Sequence, residues 1–531
     1  MEPLLHFVGA LLALVRLVLA PVRFFRAWRR PEPFLPPLDN PLLTLSATRL
    51  AQRIRAKEVT SEAAVQAYVA RIRAVNPHLN AVVEERFDAA LEEARAVDRE
   101  LASAPTPADA DTHAQRLARE RPLLGVPITV KESCSLKGMS HCVGTMRRRG
   151  LTAADDGAAV AHLRKAGAIP LCVTTTPELC LGWETNNLVT GITRNPFDLR
   201  RTPGGSSGGE AALIGAGASP LGIGSDVAGS IRVPAQCVGI FGHKPSPALV
   251  PLAGHYPMSD DPNFLRFLVL GPMCRYAEDL RLGLVAMAGD AASALRLHEE
   301  VDVGQLRVFF MESAPATWLS VPTDREIRQR IRRAARYLQE HHKADVRKTD
   351  IQDFIDGVEI GGSAFFAMSG IPDLLIDPVN PKNRRNLWLE SFKCIIGQSD
   401  ISPQAMGFTF LQNINLFIPQ KRMSYYQQMG KALTAKFVEM LGEDGVFLFP
   451  TFPTDANFHN EIFVNIPGVQ YLMIFNVLGM PSTHVPLGLN KNGMPIGLQV
   501  VAAPNQDRLC LAVAEALEKG FGGWEPPPAA V

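Results

Sequence analysis

An apolar run near the N-terminus most restricts what this chain can fold into. Residues 4–25 are apolar except for His6, Arg16 and Arg23. As a helix rising about 1.5 Å per residue, the run would extend about 33 Å, enough to cross the core of a bilayer. Arg16 opposes a full crossing, because an arginine at mid-helix costs roughly 2.5–3.5 kcal/mol on insertion scales. We predict a single membrane-spanning helix, with a shallow interfacial or hairpin anchor as the alternative.

A cleaved signal peptide is a second alternative, but the run lacks the usual features of one. The residues before it carry Glu2 as their charged side chain, whereas signal peptides begin with basic residues. Pro21 directly after Ala20 is also a poor cleavage site. Arginines follow at positions 23, 26, 29 and 30. The positive-inside rule then places the body of the protein on the cytoplasmic side. The surfaces of the endoplasmic reticulum and of a lipid droplet both suit such an anchor.

Prolines separate this anchor from the rest of the chain. They occur at positions 31, 33, 36, 37 and 41. Proline-rich segments of this kind are stiff and extended. We therefore divide the chain into a membrane anchor at residues 1–30, a proline-rich linker at 31–44 and a body at 45–531 that holds the functional residues.

Composition excludes several classes of protein. The chain has 54 Lys and Arg against 53 Asp and Glu, a net charge of +1, so a generally basic surface for nucleic acid is not expected. Hydrophobic residues make up 47%, which is typical of a globular protein and not of a disordered one. The eight cysteines include no C-x-x-C pair, which indicates reduced thiols. His, Asp and Glu show no metal-ligand spacing, so we expect neither a metal nor a cofactor.

Beyond the linker, helical and strand-like hydrophobic patterns alternate. Helices are predicted at 63–75 (capped by Thr60 or Ser61), 88–101, 158–166 and 324–341. Short buried strands are predicted at 124–130 (ending at Lys131), 169–173, 306–310 and 446–449. This alternation predicts an α/β fold with a sheet core.

The densest chemical signal is a glycine-rich loop at residues 204–209, GGSSGG, which a helix-like run follows. Apolar segments flank it closely, which argues against a flexible linker. A phosphate-binding loop would need a Lys after the final Gly, and neither this loop nor residues 224–229 has one. Ser206 and Ser207 each match the G-x-S-x-G pattern of a nucleophile elbow. That interpretation needs a later acid and a His, for which the candidates are His243, His255, His459 and His484.

A second serine lies in the neighbouring segment at residues 222–235. Ser230 follows several small residues and precedes an apolar turn. Successive backbone N–H groups could form a concave donor site for an oxyanion there; the candidates are Val227, Ala228, Gly229 and Ser230. A serine hydroxyl needs a base to act as a nucleophile. Lys131 ends a buried strand, where burial disfavours the charged form of a lysine, and is the candidate base.

These residues also carry a resemblance to the amidase signature family. GVPITVK at 125–131 resembles the family's lysine strand, and GITRNPFD at 191–198 resembles the approach to its glycine loop. GIFGHKP at 239–245 follows the nucleophile segment as in the family. Further matches are FPTFP at 449–453, NVLGMPSTHVPLG at 476–488 and GMPIGLQ at 493–499. The resemblance covers roughly residues 45–520. It departs from the family at Ala228, where a glycine is common, and after Lys244-Pro245.

The resemblance implies a fold and a set of roles. The fold would be a mixed, twisted β-sheet core covered by helices. Ser230 would be the nucleophile, Lys131 the base, and Ser206 a bridging serine held by a cis Gly205–Ser206 peptide. Gly204, Gly205 and Ser207 would form the supporting loop.

Within this family, an N-terminal membrane segment points to enzymes that hydrolyse long-chain fatty-acid amides. The expected substrates are primary amides of the oleamide type and N-acylethanolamines, cleaved through an acyl-enzyme. The expected partners are the lipid amide and a membrane; a homodimer is left open. One alternative is a soluble-type amidase acting on a small amide such as glutamine, which would not need the apolar run. The other is a catalytically silent membrane scaffold, against which the intact Lys131, Ser206 and Ser230 argue.

Two further regions are candidates for contact with lipid. Residues 406–418 are rich in apolar groups and are followed by Lys421 and Arg422. They could form a membrane-facing flap through which a lipid enters, or ordinary core. Aromatic side chains that could line an acyl channel, or simply pack in the core, are Phe354, Phe365, Phe366 and Trp388.

Overall fold

Short strands, most of them fully buried, build the centre of the molecule. The computed structural model describes residues 3–28, 34–103, 115–317, 319–376, 380, 382–414 and 418–530. Within these residues the strands are β1 (Val82–Glu85), β2 (Pro127–Lys131), β3 (Ile169–Thr174), β4 (Asn186–Asn187), β5 (Gly191–Ile192), β6 (Leu221–Asp226), β7 (Phe241–Lys244), β8 (Val269–Cys274), β9 (Arg307–Phe310), β10 (Asp345–Lys348), β11 (Gly445–Pro450), β12 (Ser482–Leu489) and β13 (Pro495–Ala502). Eleven of them form one mixed sheet in the order β1-β3-β2-β6-β8-β7-β12-β13-β11-β9-β10, and β4 pairs with β5.

Helices cover this sheet. In the described residues they are α1 (Pro3–Trp28), α2 (Ala47–Arg55), α3 (Ser61–Leu79), α4 (Phe87–Ala102), α5 (residues 115–120), α6 (Ala158–Lys165), α7 (Gly208–Gly215), α8 (Arg232–Val238), α9 (Pro262–Phe267), α10 (Ala277–Ala288), α11 (Arg325–His342), α12 (Gly357–Phe365), α13 (Leu387–Ile395), α14 (Pro403–Ile414), α15 (Gln420–Leu441), α16 (Gln470–Val477) and α17 (Asp507–Phe521). A long 3₁₀ segment at Ile462–Val469 precedes α16. The predicted α/β fold with a mixed sheet is confirmed.

The predicted helices and strands of the body are present, with shifts of a few residues at their ends. The Oγ1 of Thr60 accepts a hydrogen bond from the N–H of Ala63 and caps α3, as the sequence indicated. The strand expected to end at Lys131 is β2, and all five of its residues are buried. Continuous burial of this kind is typical of strands with helices on both faces.

Parallel pairing in one half of the sheet creates the edge where the functional residues meet. β2 pairs in parallel with β3 on one side and β6 on the other. Their carboxyl ends therefore lie at the same edge, the usual ligand position in such a sheet. Lys131 is the last residue of β2 and Asp226 is the last residue of β6. The glycine-rich loop leads into α7 beside them.

The N-terminal run forms α1, whose residues 4–28 are long and apolar enough to cross a membrane. The predicted linker is only partly described, since residues 29–33 lie outside the described ranges. From Phe34 onward it packs on the body: Leu35 is buried and forms a bridge with Ala529. Nη1 of Arg71 donates to the carbonyl of Pro36 at 2.6 Å. The described part of the linker is therefore held on the body.

Candidate active site

Lys131 is the centre of a buried polar cluster at the sheet edge. Its Nζ lies 2.8 Å from Oγ of Ser206 and 2.9 Å from Oγ of Ser225. The carbonyl of Ser225 lies 3.4 Å away. Lys131 is 0% exposed, so these oxygens replace water around its nitrogen. Sequence reasoning identified Lys131 and Ser206 but missed Ser225, which comes from the neighbouring strand β6.

The glycine-rich loop places Ser206 against Lys131. The Gly205–Ser206 peptide is cis, as the resemblance implied. Gly204 has φ +86°, and a Cβ there would meet Cα of Pro234 at 2.6 Å. A larger residue at this position would therefore push the loop away from α8. The N–H of Ser207 donates to the carbonyl of Ser230 at 3.2 Å, which joins the loop to the segment of the second serine.

The Ser230 segment forms a tight turn between β6 and α8. The carboxylate of Asp226 closes this turn by accepting hydrogen bonds from the N–H groups of Gly229 at 2.7 Å and Ile231 at 3.0 Å. Gly229 has φ +100°, in the region that favours glycine. Ala228 lies outside that region, so alanine is accommodated where the family often has glycine.

The four N–H groups predicted as oxyanion donors differ in their hydrogen bonding. The N–H of Gly229 already donates to Asp226. The N–H groups of Val227, Ala228 and Ser230 have no hydrogen-bond partner in the described part of the chain. Trp183 fixes the turn from the other side, since its Nε1–H donates to the carbonyl of Ala228 at 2.9 Å. The role of these four groups as an oxyanion site stays a prediction. The N–H of Gly229 is already bonded to Asp226.

A buried ion pair supports this turn. Arg232 and Asp226 are both 0% exposed, and Nη2 of Arg232 lies 3.0 Å from Oδ1 of Asp226. Burial alone would raise the pKa of the Asp226 carboxyl, but Arg232 holds that pKa well below its ordinary value. Nη2 of Arg232 also donates to Asn476 at 2.6 Å, and Nη1 donates to Gln499 at 3.0 Å. Sequence reasoning missed this network, because Asn476 and Gln499 are distant in the chain.

A buried carboxyl lies behind the lysine. Glu210 of α7 accepts hydrogen bonds from the hydroxyls of Thr129 at 2.5 Å and Thr174 at 2.9 Å. Thr129 and Lys131 are two residues apart on β2 and share a face of the sheet. Burial raises the pKa of Glu210 to about 8, so the carboxyl is mostly protonated at neutral pH. Sequence reasoning did not single out Glu210.

The serines open into an apolar cavity of about 420 Å³. Ser206, Ser225 and Ser230 line it, and the remaining wall is mainly aliphatic and aromatic. Of the predicted channel residues, Phe365 and Phe366 line the cavity. Phe354 instead packs in an aromatic core with Phe437, Phe447, Phe449 and Phe475. Trp388 is 67% exposed and contacts Phe410 edge to face.

The segment 406–418 contributes to the same cavity. Gly407, Phe408, Phe410 and Leu411 line it from α14. Residues 415–417 lie outside the described ranges. The described part of the predicted flap therefore forms part of the cavity wall.

The histidines do not complete a nucleophile elbow. Three of the candidates form hydrogen bonds with other residues: His243 with Asp507 at 3.1 Å, His459 with Glu184 at 3.0 Å, and His484 with Thr451 at 2.7 Å. His255 lines the cavity, and its Nδ1–H donates to the carbonyl of Pro257 at 3.0 Å. Burial lowers the pKa of His255 to about 3 and keeps its ring neutral. Among the hydrogen bonds of the described residues, none joins a histidine to Ser206, Ser207 or Ser230, and these residues contain no metal-binding cluster.

Comparison with known proteins agrees with this arrangement. The Amidase family profile matches residues 63–511. The chain is 41% identical to fatty-acid amide hydrolase 2-A of Danio rerio, over 98% of this chain and 97% of that protein. It is 39% identical to fatty-acid amide hydrolase 2 of Homo sapiens, over 99% and 97%. A bacterial aryl acylamidase of the amidase signature family shares the fold, with a TM-score of 0.70 and 22% identity over 90% of this chain and 97% of that one.

Fold, cavity and sequence similarity together define the class of protein: it is an amide-hydrolysing enzyme. More particularly, the chain belongs to the amidase signature family, whose profile extends over most of the body and includes the lysine strand, the glycine loop and the Ser230 turn.

Proposed function

We propose that this protein is a membrane-bound serine amidase that cleaves long-chain fatty-acid amides to a free fatty acid and ammonia or an amine. The observation that carries the proposal is the buried contact between Lys131 and Ser206, a residue that lines an apolar cavity. The names of the fatty-acid amide hydrolases of Danio rerio and Homo sapiens support the substrate class.

Acylation starts at Lys131. In its neutral form, Nζ takes the proton of Ser206 across the 2.8 Å contact. Ser206 in turn takes the proton of Ser230, whose Oγ attacks the amide carbonyl carbon. The carbonyl oxygen then carries the negative charge and accepts hydrogen bonds from the N–H groups of Val227, Ala228 and Ser230. Donors already in place need no reorganisation when this charge forms.

The same relay runs in reverse to release the nitrogen. An amide nitrogen is too basic to leave as an anion, so it must be protonated as the C–N bond breaks. Ser206 donates its proton to the nitrogen and regains one from Lys131. Ammonia or the amine departs, and the acyl group stays on Oγ of Ser230. Water then attacks this ester, giving up its proton through Ser206, and the fatty acid leaves as Ser230 is restored.

The cavity favours a lipid over a small polar amide. Its wall includes the side chains of Phe365, Phe366 and Phe408. Burying an acyl chain there is favourable by roughly 0.8 kcal/mol per methylene. Glutamine would leave a charged amine and a carboxylate against the same wall, at a large desolvation cost.

An alkyl fluorophosphonate probe tests the nucleophile. It should label the wild-type chain and lose all labelling in Ser230→Ala. Labelling that persists in this variant would assign the nucleophile elsewhere. Ser293→Ala is the control, because Ser293 is exposed and its hydroxyl donates to the nearby carbonyl of Asp290; its labelling should persist.

Competing substrates test the substrate class. We expect hydrolysis of oleamide and of N-oleoylethanolamine, measured as released oleate, and no hydrolysis of glutamine. Hydrolysis of glutamine alone would favour the soluble-type amidase, and a chain that is never labelled would favour the silent scaffold.

The domain division follows the same proposal. Residues 1–30 anchor the protein, 31–44 join the anchor to the body, and 45–531 carry catalysis from the cytoplasmic side, at the endoplasmic reticulum or at a lipid droplet. Deleting residues 1–30 should release the enzyme from membranes while Ser230 remains reactive to the probe. Full membrane binding after the deletion would place the attachment at 406–418 instead.

A further inference from the structure

The N-terminal helix is part of the cavity. Val8 and Leu12 of α1 line it together with residues of the body. One turn earlier, Leu5 is 1% exposed and packs with Leu319 and Val358. One face of α1 is therefore buried in the body at the level of the cavity.

Arginines continue this inward face along the helix. Arg16 donates to the carbonyls of Val464 at 3.2 Å and Ser320 at 3.3 Å. Nε of Arg23 lies 2.7 Å from Oε2 of Glu461, and Nη1 of Arg26 lies 3.0 Å from Oε1 of the same carboxylate. Arg16, which opposed a full membrane crossing in the sequence, thus bonds to the body, as do Arg23 and Arg26.

The opposite face of α1 is apolar and exposed. Phe7, Leu17 and Trp28 have exposed fractions of 67%, 70% and 73%. This is the reverse of a helix on a soluble protein, whose polar face points outward. A lipid phase is the medium that this outward face fits.

These contacts also restrict the topology of the helix. From Leu5 to Arg26 it touches the body over about 32 Å, at a rise of about 1.5 Å per residue. A helix held in this way keeps one face against the body along this length. It can reach one leaflet with its outward face.

We infer that α1 is a wall of the substrate cavity as well as an anchor, with Val8 and Leu12 contacting the acyl chain and limiting its length. The inference rests on the proposed function, since it assigns the acyl chain to this cavity. The anchor is then a specificity element: its inward face contacts the substrate and its outward face contacts the lipid from which the substrate comes.

A pair of tryptophan variants tests the inference. Leu12→Trp fills the cavity from the inward face, whereas Leu11→Trp adds the same bulk at a neighbouring position that is 51% exposed. The full-length variants are compared in phosphatidylcholine vesicles with octanamide, oleamide and arachidamide. We expect Leu12→Trp to lower kcat/KM about tenfold or more for the long amides and about twofold or less for octanamide, in the range that filling a pocket produces. Leu11→Trp should retain the wild-type ratios.

Several outcomes would overturn the inference. Equal chain-length profiles for Leu12→Trp and Leu11→Trp would remove α1 from the cavity wall. An equal loss for all three amides would indicate a merely structural effect, and Val8→Trp with unchanged ratios would also count against the wall. Failure of the proposed function is a separate result, since the wild-type chain would then hydrolyse none of the three amides.

Discussion

Nζ of Lys131 lies 2.8 Å from Oγ of Ser206, with both residues almost fully buried. A second hydroxyl, that of Ser225, lies 2.9 Å from the same nitrogen. In the described residues its hydrogen-bond partners are hydroxyl and carbonyl oxygens, and none is a carboxylate. The geometry suits a base that passes protons through Ser206.

Removing the amine should therefore abolish most activity. We expect Lys131→Ala to lower kcat/KM for oleamide by about 10²–10⁴, the usual contribution of a general base. The matched control is Lys137→Ala, because Lys137 is 67% exposed and pairs with Asp155 at the surface. Oleamide hydrolysis at neutral pH measures both. Unchanged activity in Lys131→Ala would reject it as the base.

The turn before Ser230 should tolerate changes at Ala228 but not at Gly229. A Cβ at Gly229 would meet Cβ of Leu472 at 2.8 Å, and its φ of +100° is unfavourable for alanine. Strain of roughly 1–3 kcal/mol should displace the turn, so Gly229→Ala should slow fluorophosphonate labelling about tenfold or more. Ala228→Gly should label at close to the wild-type rate. Equal rates for the two variants would contradict the role given to the Gly229 backbone.

The Asp226–Arg232 pair should matter for stability. Asp226→Asn leaves the Arg232 guanidinium buried without its counter-charge, which typically costs about 3–5 kcal/mol. Urea unfolding measures the loss. Glu299→Gln, which breaks the exposed pair with Arg296, is the control and should leave the transition unchanged. The prediction is wrong if both variants unfold at the same urea concentration.

Glu210 should make the folded state less stable as pH rises. Its pKa is raised from 4.5 to about 8 by burial. The folded chain therefore binds more protons than the unfolded chain between these values, and the free energy of unfolding falls as pH rises through this window. Glu210→Gln stays neutral, so urea midpoints at pH 5 and pH 8 should differ less than in the wild type. Glu58 is exposed, so Glu58→Gln is the control and should show the wild-type difference in urea midpoint between pH 5 and pH 8. If Glu210→Gln also shows the wild-type difference, burial does not raise the pKa of Glu210 in this way.

The sequence was sufficient to single out those candidate residues that are marked by their neighbours in the chain. Lys131 ends a continuous buried strand, and Ser206 and Ser230 lie in segments rich in glycine and other small residues. Ser225 could not be predicted, because its contact with Lys131 depends on the register of β2 against β6, where Val130 pairs with Ile223. The partners of Arg232 could not be predicted for a similar reason: Asn476 and Gln499 lie more than two hundred residues away in the chain and reach Arg232 only in the folded protein.

The N-terminal helix shows another limit of sequence reasoning. Its length and apolar character predicted an anchor, and the structure has one helix over the run. Hydropathy does not indicate which face of a helix will meet a protein surface. Arg16 counted against a full crossing of the bilayer in the sequence, whereas in the structure it bonds to carbonyls of the body. The cavity wall formed by Val8 and Leu12 depends on this docking and has no sequence signal of its own.

The docking of α1 should depend on Glu461, because its carboxylate accepts from both Arg23 and Arg26. Glu461→Arg would place three positive charges together, and the C-terminal half of α1 should leave the body. Trypsin should then cut after Arg23 and Arg26 several-fold faster than in the wild type, as measured by mass spectrometry of the purified full-length chain in detergent. Glu312→Arg is the matched control, since Glu312 is equally shielded and also accepts two basic side chains, Arg332 and Lys348. If α1 is held by these contacts, only the change at Glu461 exposes it; cleavage at equal rates in both variants would mean that the helix does not rest on the body.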